Sequence, residues 1–180
     1  MIPYRVDVRP ILEEIGASVD ISDALDLGTL TVGDESFVLH EPAGFRVAVT
    51  NAGAGIVAHG HIAADVTATC SRCLCEYDDR IEGDVMGFYL RPGDESPDDE
   101  DAEEVDAEGA IDIGPALLAA LVVEAPFAPV HDEACKGLCV TCGEDLNAGS
   151  CSCGDAPRDD HPFAPLKTLL PEESSEAQGD

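Results

Sequence analysis

The sequence predicts an α+β fold, a curved antiparallel sheet under one covering helix. Two patterns predict it. From Ile56 to Cys70 the even positions (Ile56, Ala58, Gly60, Ile62, Ala64, Val66, Ala68, Cys70) are all apolar or small, with His59, His61, Asp65, Thr67 and Thr69 between them. A strand sends alternate side chains to opposite faces, so this run describes one strand with one buried face. Between Gly114 and Glu124, Leu117, Leu118, Leu121 and Val122 fall at i, i+1, i+4 and i+5. That spacing gathers them on one face of a helix.

Residues 1–35 read as a short amphipathic opening and residues 36–91 as antiparallel β-structure. Phe45, Val47 and Val49 alternate ahead of the long strand. The link Asn51-Ala-Gly-Ala-Gly55 supplies residues that tolerate positive φ, which predicts a hairpin. After Cys75 the alternation returns as Tyr77, Ile81, Val85 and Tyr89, so the first cysteines sit at a strand-to-strand turn. Residues 92–110 carry ten acidic side chains and no basic one. A like-charge block resists collapse, and the stretch reads as a disordered acidic loop. Residues 111–170 are expected to complete the single domain with a helix, a cysteine knuckle and a closing turn. Pro115 suits a first helical turn, where its missing N–H costs nothing, and Asp112 puts negative charge near the positive helix end. Pro126 stops the helix. Pro165, Leu166, Leu169 and Leu170 suggest one more short helix, and residues 171–180 read as a disordered tail.

Composition narrows the function. The 180 residues hold 38 Asp and Glu against 9 Lys and Arg, a formal net charge of −29. So negative a surface repels phosphate and disfavours a conventional nucleic-acid binder or an anionic membrane. Aromatic residues make up 4%, with no Trp, which disfavours a stacking platform for single strands. The longest weakly charged run, Ile111 to Val123, is too short to span a bilayer. The first ten residues carry Arg5, Asp7 and Arg9 with no apolar run behind them, so the expectation is a cytoplasmic protein without a secretory signal. No phosphate-binding Gly-rich loop and no Gly-x-Ser-x-Gly elbow occurs, and nothing points to an enzyme or a small-molecule substrate. His59 and His61 share one strand face and read as solvated.

The eight cysteines fall into two clusters, Cys70, Cys73 and Cys75, then Cys135, Cys139, Cys142, Cys151 and Cys153. Without a secretory signal, clustered cysteines read as metal ligands before disulfides. Cys139-x-x-Cys142-Gly143 has the spacing for two thiolates on one ion, and Gly143 permits the left-handed backbone of a tight knuckle. Four of the five later cysteines are expected to bind one structural zinc: Cys139 and Cys142, then Cys135, then one of Cys151 and Cys153. This is the zinc-knuckle-like part of the fold. His131 reads as a weaker substitute or a polar loop residue. Four thiolates close the shell and leave no catalytic vacancy. Cys70 and Cys73 are a candidate second site, a turn, or partners of Cys139 and Cys142 in one shared site.

Cys70-Ser-Arg-Cys73 at a strand turn precedes an acidic loop, Ile111-Asp-Ile113 and a helix ending Glu124-Ala-Pro126. Cys135-Lys-Gly-Leu-Cys139-x-x-Cys142-Gly-x-x-Leu146-Asn147 and Cys151-x-Cys153 follow. Over roughly residues 36–170 this resembles the YceD family, the large ribosomal RNA subunit accumulation proteins, in its cysteine-rich form. Some members lack the C-terminal cysteines, which implies that the second cluster is an optional brace. The resemblance implies a non-enzymatic role in large-subunit assembly or accumulation of its ribosomal RNA, with a large-subunit precursor as partner.

Charge complicates direct RNA contact, because each phosphate contact normally uses a Lys or Arg. Arg5, Arg9, Arg46, Arg72, Arg80 and Arg91 form a patch only if folding gathers them. Arg72, at the turn tip, is the candidate RNA or partner contact. The alternative is an acidic chaperone or interaction protein that holds a basic ribosomal protein without touching RNA.

Overall fold

A computed structural model describes residues 2–91, 93 and 103–153. The chain divides into two units, residues 1–137 and 138–180. The first is the α+β body, a mostly antiparallel sheet with one helix.

Its centre is the long alternating run. β6 (Ile56–Thr69) pairs along its whole length with β7 (Glu76–Leu90), from Ile56↔Tyr89 to Thr69↔Glu76. Its other edge is shared. β5 (Ala43–Asn51) covers the first part, and β4 (Glu35–Leu39) covers Val66 and Thr67. β2 (Ser18–Leu25) extends the sheet beyond β5, and β3 (Thr29–Val32) extends it beyond β4. The Asn51–Gly55 link closes the β5–β6 hairpin as the sequence predicts, with Ala52 N–H donating to the Gly55 carbonyl at 2.9 Å. Residues 1–35, read from sequence as an opening segment, thus supply two strands of this sheet. They also supply β1 (Arg5–Asp7), which pairs with β9 (Ala110–Asp112) in a separate two-stranded sheet.

Of the acidic stretch 92–110, residues 92 and 94–102 lie outside the described residues. Within the described part, β8 (Glu103–Glu104) pairs parallel to the end of β7, and Val105 is buried. The expected short helix at 165–170 and the tail 171–180 also lie outside the described residues.

The buried face is the one the period predicted: Phe45, Val47, Val49, Ile56, Ala58, Ile62, Ala64, Val66, Ile81, Val85 and Tyr89. The helix α1 (Gly114–Glu124) lays Leu117, Ala120 and Leu121 into the same core. Asp112 Oδ1 accepts the N–H of Gly114 at 2.9 Å and that of Tyr4 at 2.7 Å, so it fixes the helix start and the N-terminal strand together. α1 packs on β7 backbone to backbone at Gly83, where a Cβ would stand 2.3 Å from the Ala120 carbonyl oxygen. Among the described residues, no helix is long and apolar enough to cross a membrane.

Candidate metal centres

The turn between β6 and β7 carries the first cysteines. Cys70 N–H donates to the Cys75 carbonyl and Leu74 N–H to the Cys70 carbonyl, both at 2.8 Å. Leu74 adopts a left-handed φ of 62°, strained for a residue with a side chain. The turn holds Cys70 and Cys73 buried at the sheet end.

Residues 129–137 come back to this turn. Ser71 N–H donates to the Pro129 carbonyl at 2.8 Å. Arg72 Nη1 donates to the carbonyls of Glu133 at 2.9 Å and Cys135 at 3.1 Å. This brings His131 and Cys135 to the first pair. Cys70 Sγ lies 4.0 Å from Cys135 Sγ, and Cys73 Sγ lies 3.5 Å from His131 Nδ1. The donor atoms of Cys70, Cys73, His131 and Cys135 all fall within 4.8 Å of one another. The His131 ring also meets Tyr77 edge-on, with centroids 6.3 Å apart.

The second unit carries the other group. Cys139, Cys142, Cys151 and Cys153 have their sulfurs within 4.8 Å of one another. Cys139 N–H donates to the Glu144 carbonyl and Gly143 N–H to the Cys139 carbonyl, both at 2.8 Å, with Gly143 at φ 75°. Thr141 N–H points at Cys139 Sγ from 3.4 Å. Leu138 and Asp145 form an isolated antiparallel bridge across the knuckle.

The titration pattern of each group suits a cation. Burial pushes the Cys70 thiol up, but donors from His131 and the backbone N–H groups of Cys73 and Arg72 outweigh it and bring it down to about 5. The backbone N–H of Cys75 draws Cys73 down, but hydrogen bonding with Cys75 and Cys70, together with burial, carries it up to about 12. In the second group, backbone N–H groups of Cys142 and Thr141 lower Cys139 to about 6, while hydrogen bonding to Cys142, with burial, raises Cys153 to about 12. In each group one thiol is thus drawn down while another close to it is pushed up. A divalent ion supplies the charge that lets every ligand thiol ionise.

The spacing suits zinc as well. A Zn–S bond of about 2.3 Å in a tetrahedron sets sulfurs about 3.8 Å apart, and a Zn–N bond of about 2.0 Å sets sulfur and nitrogen about 3.5 Å apart. The residues present fit a tetrahedral metal ion.

The sequence profile of the family described as "Large ribosomal RNA subunit accumulation protein YceD" matches residues 58–170. The chain belongs to this family. The matched part of this YceD member spans all eight cysteines and α1. It is also similar to uncharacterized proteins of Mycobacterium bovis and Mycobacterium tuberculosis, each 27% identical over 80% of this chain and 71% of theirs. An uncharacterized protein of Mycobacterium leprae is 24% identical over 80% of this chain and 68% of its own. No solved structure matches the chain.

In this YceD protein Cys139, Cys142, Cys151 and Cys153 come together as one group. Cys135, expected from sequence to join Cys139 and Cys142, stands instead with Cys70 and Cys73. His131, set aside from sequence as a weaker substitute, completes that first group. The signal was present as His131-x-x-x-Cys135, a half-site spacing able to complement Cys70-x-x-Cys73. Arg72, the candidate RNA or partner contact, spends both hydrogens of Nη1 on the 133–135 loop. His59 and His61 are both exposed, and His61 lies 3.6 Å from Asp84.

Proposed function

We propose that this YceD protein is a cytoplasmic assembly factor of the large ribosomal subunit that works by binding, without turnover, and promotes accumulation of the subunit's RNA. The observation that carries it is the family match over residues 58–170, whose name ties the family to large-subunit RNA.

Charge decides the mode of engagement. Arg5 pairs with Asp106 and Glu108, Arg9 with Asp7, and Arg80 with Asp65 and Glu82. Arg91 donates to Asn51 and Arg72 to loop carbonyls. These arginines are answered inside the protein, and a patch gathered from them is a poor phosphate binder. At −29 the surface repels an RNA backbone over about 8 Å at physiological salt and draws in a basic protein over the same range. The first contact in this reading is therefore a basic ribosomal protein in a large-subunit precursor, with ribosomal RNA contact secondary.

The group Cys139, Cys142, Cys151 and Cys153 is read as a structural zinc knuckle. It stands in a Gly-rich loop with little apolar side chain of its own, where metal bonds take the place of a core. Cys142→Ser should lower the zinc content of the purified chain by about one ion.

Gradient sedimentation of cell extract tests the assembly role, and co-migration with large-subunit precursors is the expected result. Migration only with free protein overturns it. Binding of the purified chain to basic ribosomal proteins and to naked large-subunit RNA separates the two modes. Tight binding to the naked RNA, with no protein present, replaces the protein-first mode by direct RNA contact.

A further inference from the structure

We propose that Cys70, Cys73, His131 and Cys135 form a second, independent structural zinc site, so that the chain carries two ions of different ligand sets. The proposal does not depend on the ribosomal reading.

The first support is a backbone identity between two turns remote in sequence. In each, a Cys-x-x-Cys pair is followed directly by a left-handed residue, Leu74 at φ 62° and Gly143 at φ 75°. In each, that residue's N–H bonds the carbonyl of the first cysteine, and the first cysteine's N–H bonds the carbonyl five residues on, all at 2.8 Å. The second turn can use glycine for the left-handed position. The first accepts strain at a leucine to reach the same shape, costing on the order of 1 kcal/mol. A simple β6–β7 connection needs no such strain. A turn that presents two sulfurs to one ion does.

The second support is donor geometry. The Cys70–Cys135 separation of 4.0 Å and the Cys73–His131 separation of 3.5 Å match the tetrahedral expectations of about 3.8 and about 3.5 Å. Cys75 is the rival for the fourth position, since its sulfur lies 3.5 Å from His131 Nδ1. It lies only 3.2 Å from Cys73 Sγ, too close for two sulfurs on one tetrahedral ion. Cys75 therefore stays outside the shell, and His131 enters through Nδ1. Three thiolates and one imidazole close the coordination, so the site is structural.

Its work is mechanical. Residues 125–137 have no regular secondary structure. The ion would bind them to the end of the central hairpin with bonds stronger than the loop's few hydrogen bonds.

Metal analysis of the full chain under reducing conditions should find about two zinc ions. Cys70→Ser and His131→Ala should each leave about one, and Cys70→Ser combined with Cys142→Ser should leave none. Cys75→Ser should keep both. His131→Cys should also keep both, which guards against simple misfolding of the alanine variant. Cadmium-113 NMR of the cadmium-loaded chain should show two resonances, one of which moves toward the other in His131→Cys. One zinc in the full chain, two in His131→Ala, or one in Cys75→Ser each overturns the assignment. So does a double variant that retains as much metal as either single one, because the clusters would then share one site.

Discussion

Arg91 and Asn51 meet inside the protein, where Arg91 Nη2 donates to Asn51 Oδ1 at 2.6 Å and Asn51 has 0% exposure. The same oxygen accepts the Gly53 N–H at 3.0 Å. Asn51 Nδ2 donates to the carbonyls of Ile11 at 2.8 Å and Leu12 at 3.0 Å. One amide thus joins the β5–β6 turn, the chain after β7 and the N-terminal segment. Asn51→Leu keeps the branched shape of the side chain and strands these partners. Each buried polar group left unpaired costs about 1–3 kcal/mol, so a loss of about 3 kcal/mol is expected in urea unfolding. A loss below about 1 kcal/mol would show that water reaches the stranded groups.

Gly83→Ala should destabilise the protein by about 1–3 kcal/mol through overpacking against α1. The obstacle is the backbone oxygen of Ala120, 2.3 Å from the new Cβ, so shrinking residue 120 cannot relieve it. The pair Gly83→Ala with Ala120→Gly should unfold at no higher urea concentration than Gly83→Ala alone. Recovery in the pair would mean that the helix rides over the Ala120 side chain.

All three tyrosines resist ionisation. The hydrogen bond from Tyr4 to Asp23 Oδ2, at 2.6 Å, is the main cause of raising Tyr4 to about 12, and burial is the main cause at Tyr77 and Tyr89. A group whose folded pKa is raised adds stability that is whole below its unfolded value, near 10, and is lost as pH rises toward the folded value. The Tyr4 contribution should therefore disappear between about pH 10 and 12. Spectrophotometric titration should show tyrosine ionising later than free tyrosine, and Tyr4→Phe should remove the Tyr4 share of that delay. Asp23 is lowered by the same bond, so its own contribution is present above the usual carboxylate range and is lost as pH falls through it.

Arg72→Gln should loosen residues 129–135 by about 1 kcal/mol, because the bonds it gives to two loop carbonyls are charge-assisted but one is exposed and the other only part-buried. Hydrogen exchange of those amides should speed up while β5 and β6 stay protected. If exchange there is unchanged and binding to precursor particles falls, Arg72 acts on a partner instead of on its own loop.

Asp and Glu at 94, 95 and 98–101 offer a test of the charge argument that leaves Val105 and the β7–β8 pairing in place. Replacing all six by Asn and Gln should slow association with a basic ribosomal protein and flatten its salt dependence. An unchanged salt dependence would mean that steering comes from elsewhere on the surface.

Much of the body was legible because burial imposes period 2 on β5, β6 and β7 and a helical stripe on α1. The β5–β6 hairpin and the helix bounds follow from Gly55 and Pro115 and from the turn chemistry beside them. β2 escaped, although Val19 and Ile21 alternate with polar neighbours, because its paired run is only half-buried and the contrast is weak. β1 and β9 are three residues each and pair across about a hundred residues of chain, a relation no local pattern encodes. At the cysteines, spacing exposed the Cys-x-x-Cys pairs. It could not say which later residues meet Cys70 and Cys73, because carbonyls of 129–135 bonded to Ser71 and Arg72 decide that. Leu74 gave no sign of its left-handed backbone, since leucine rarely adopts one.

The turn at Cys70 and Cys73 also has a history within each molecule as it is made. Its companions His131 and Cys135 lie about sixty residues further along, and at 5–20 residues per second synthesis takes about 3–12 s to reach them. Throughout that interval two thiols, shaped by their own turn to face one point, wait on an unfinished chain. A pair so placed is prone to oxidation before its partners arrive. The nascent protein therefore depends on reducing surroundings at a stage before the fold has buried Cys70 and Cys73.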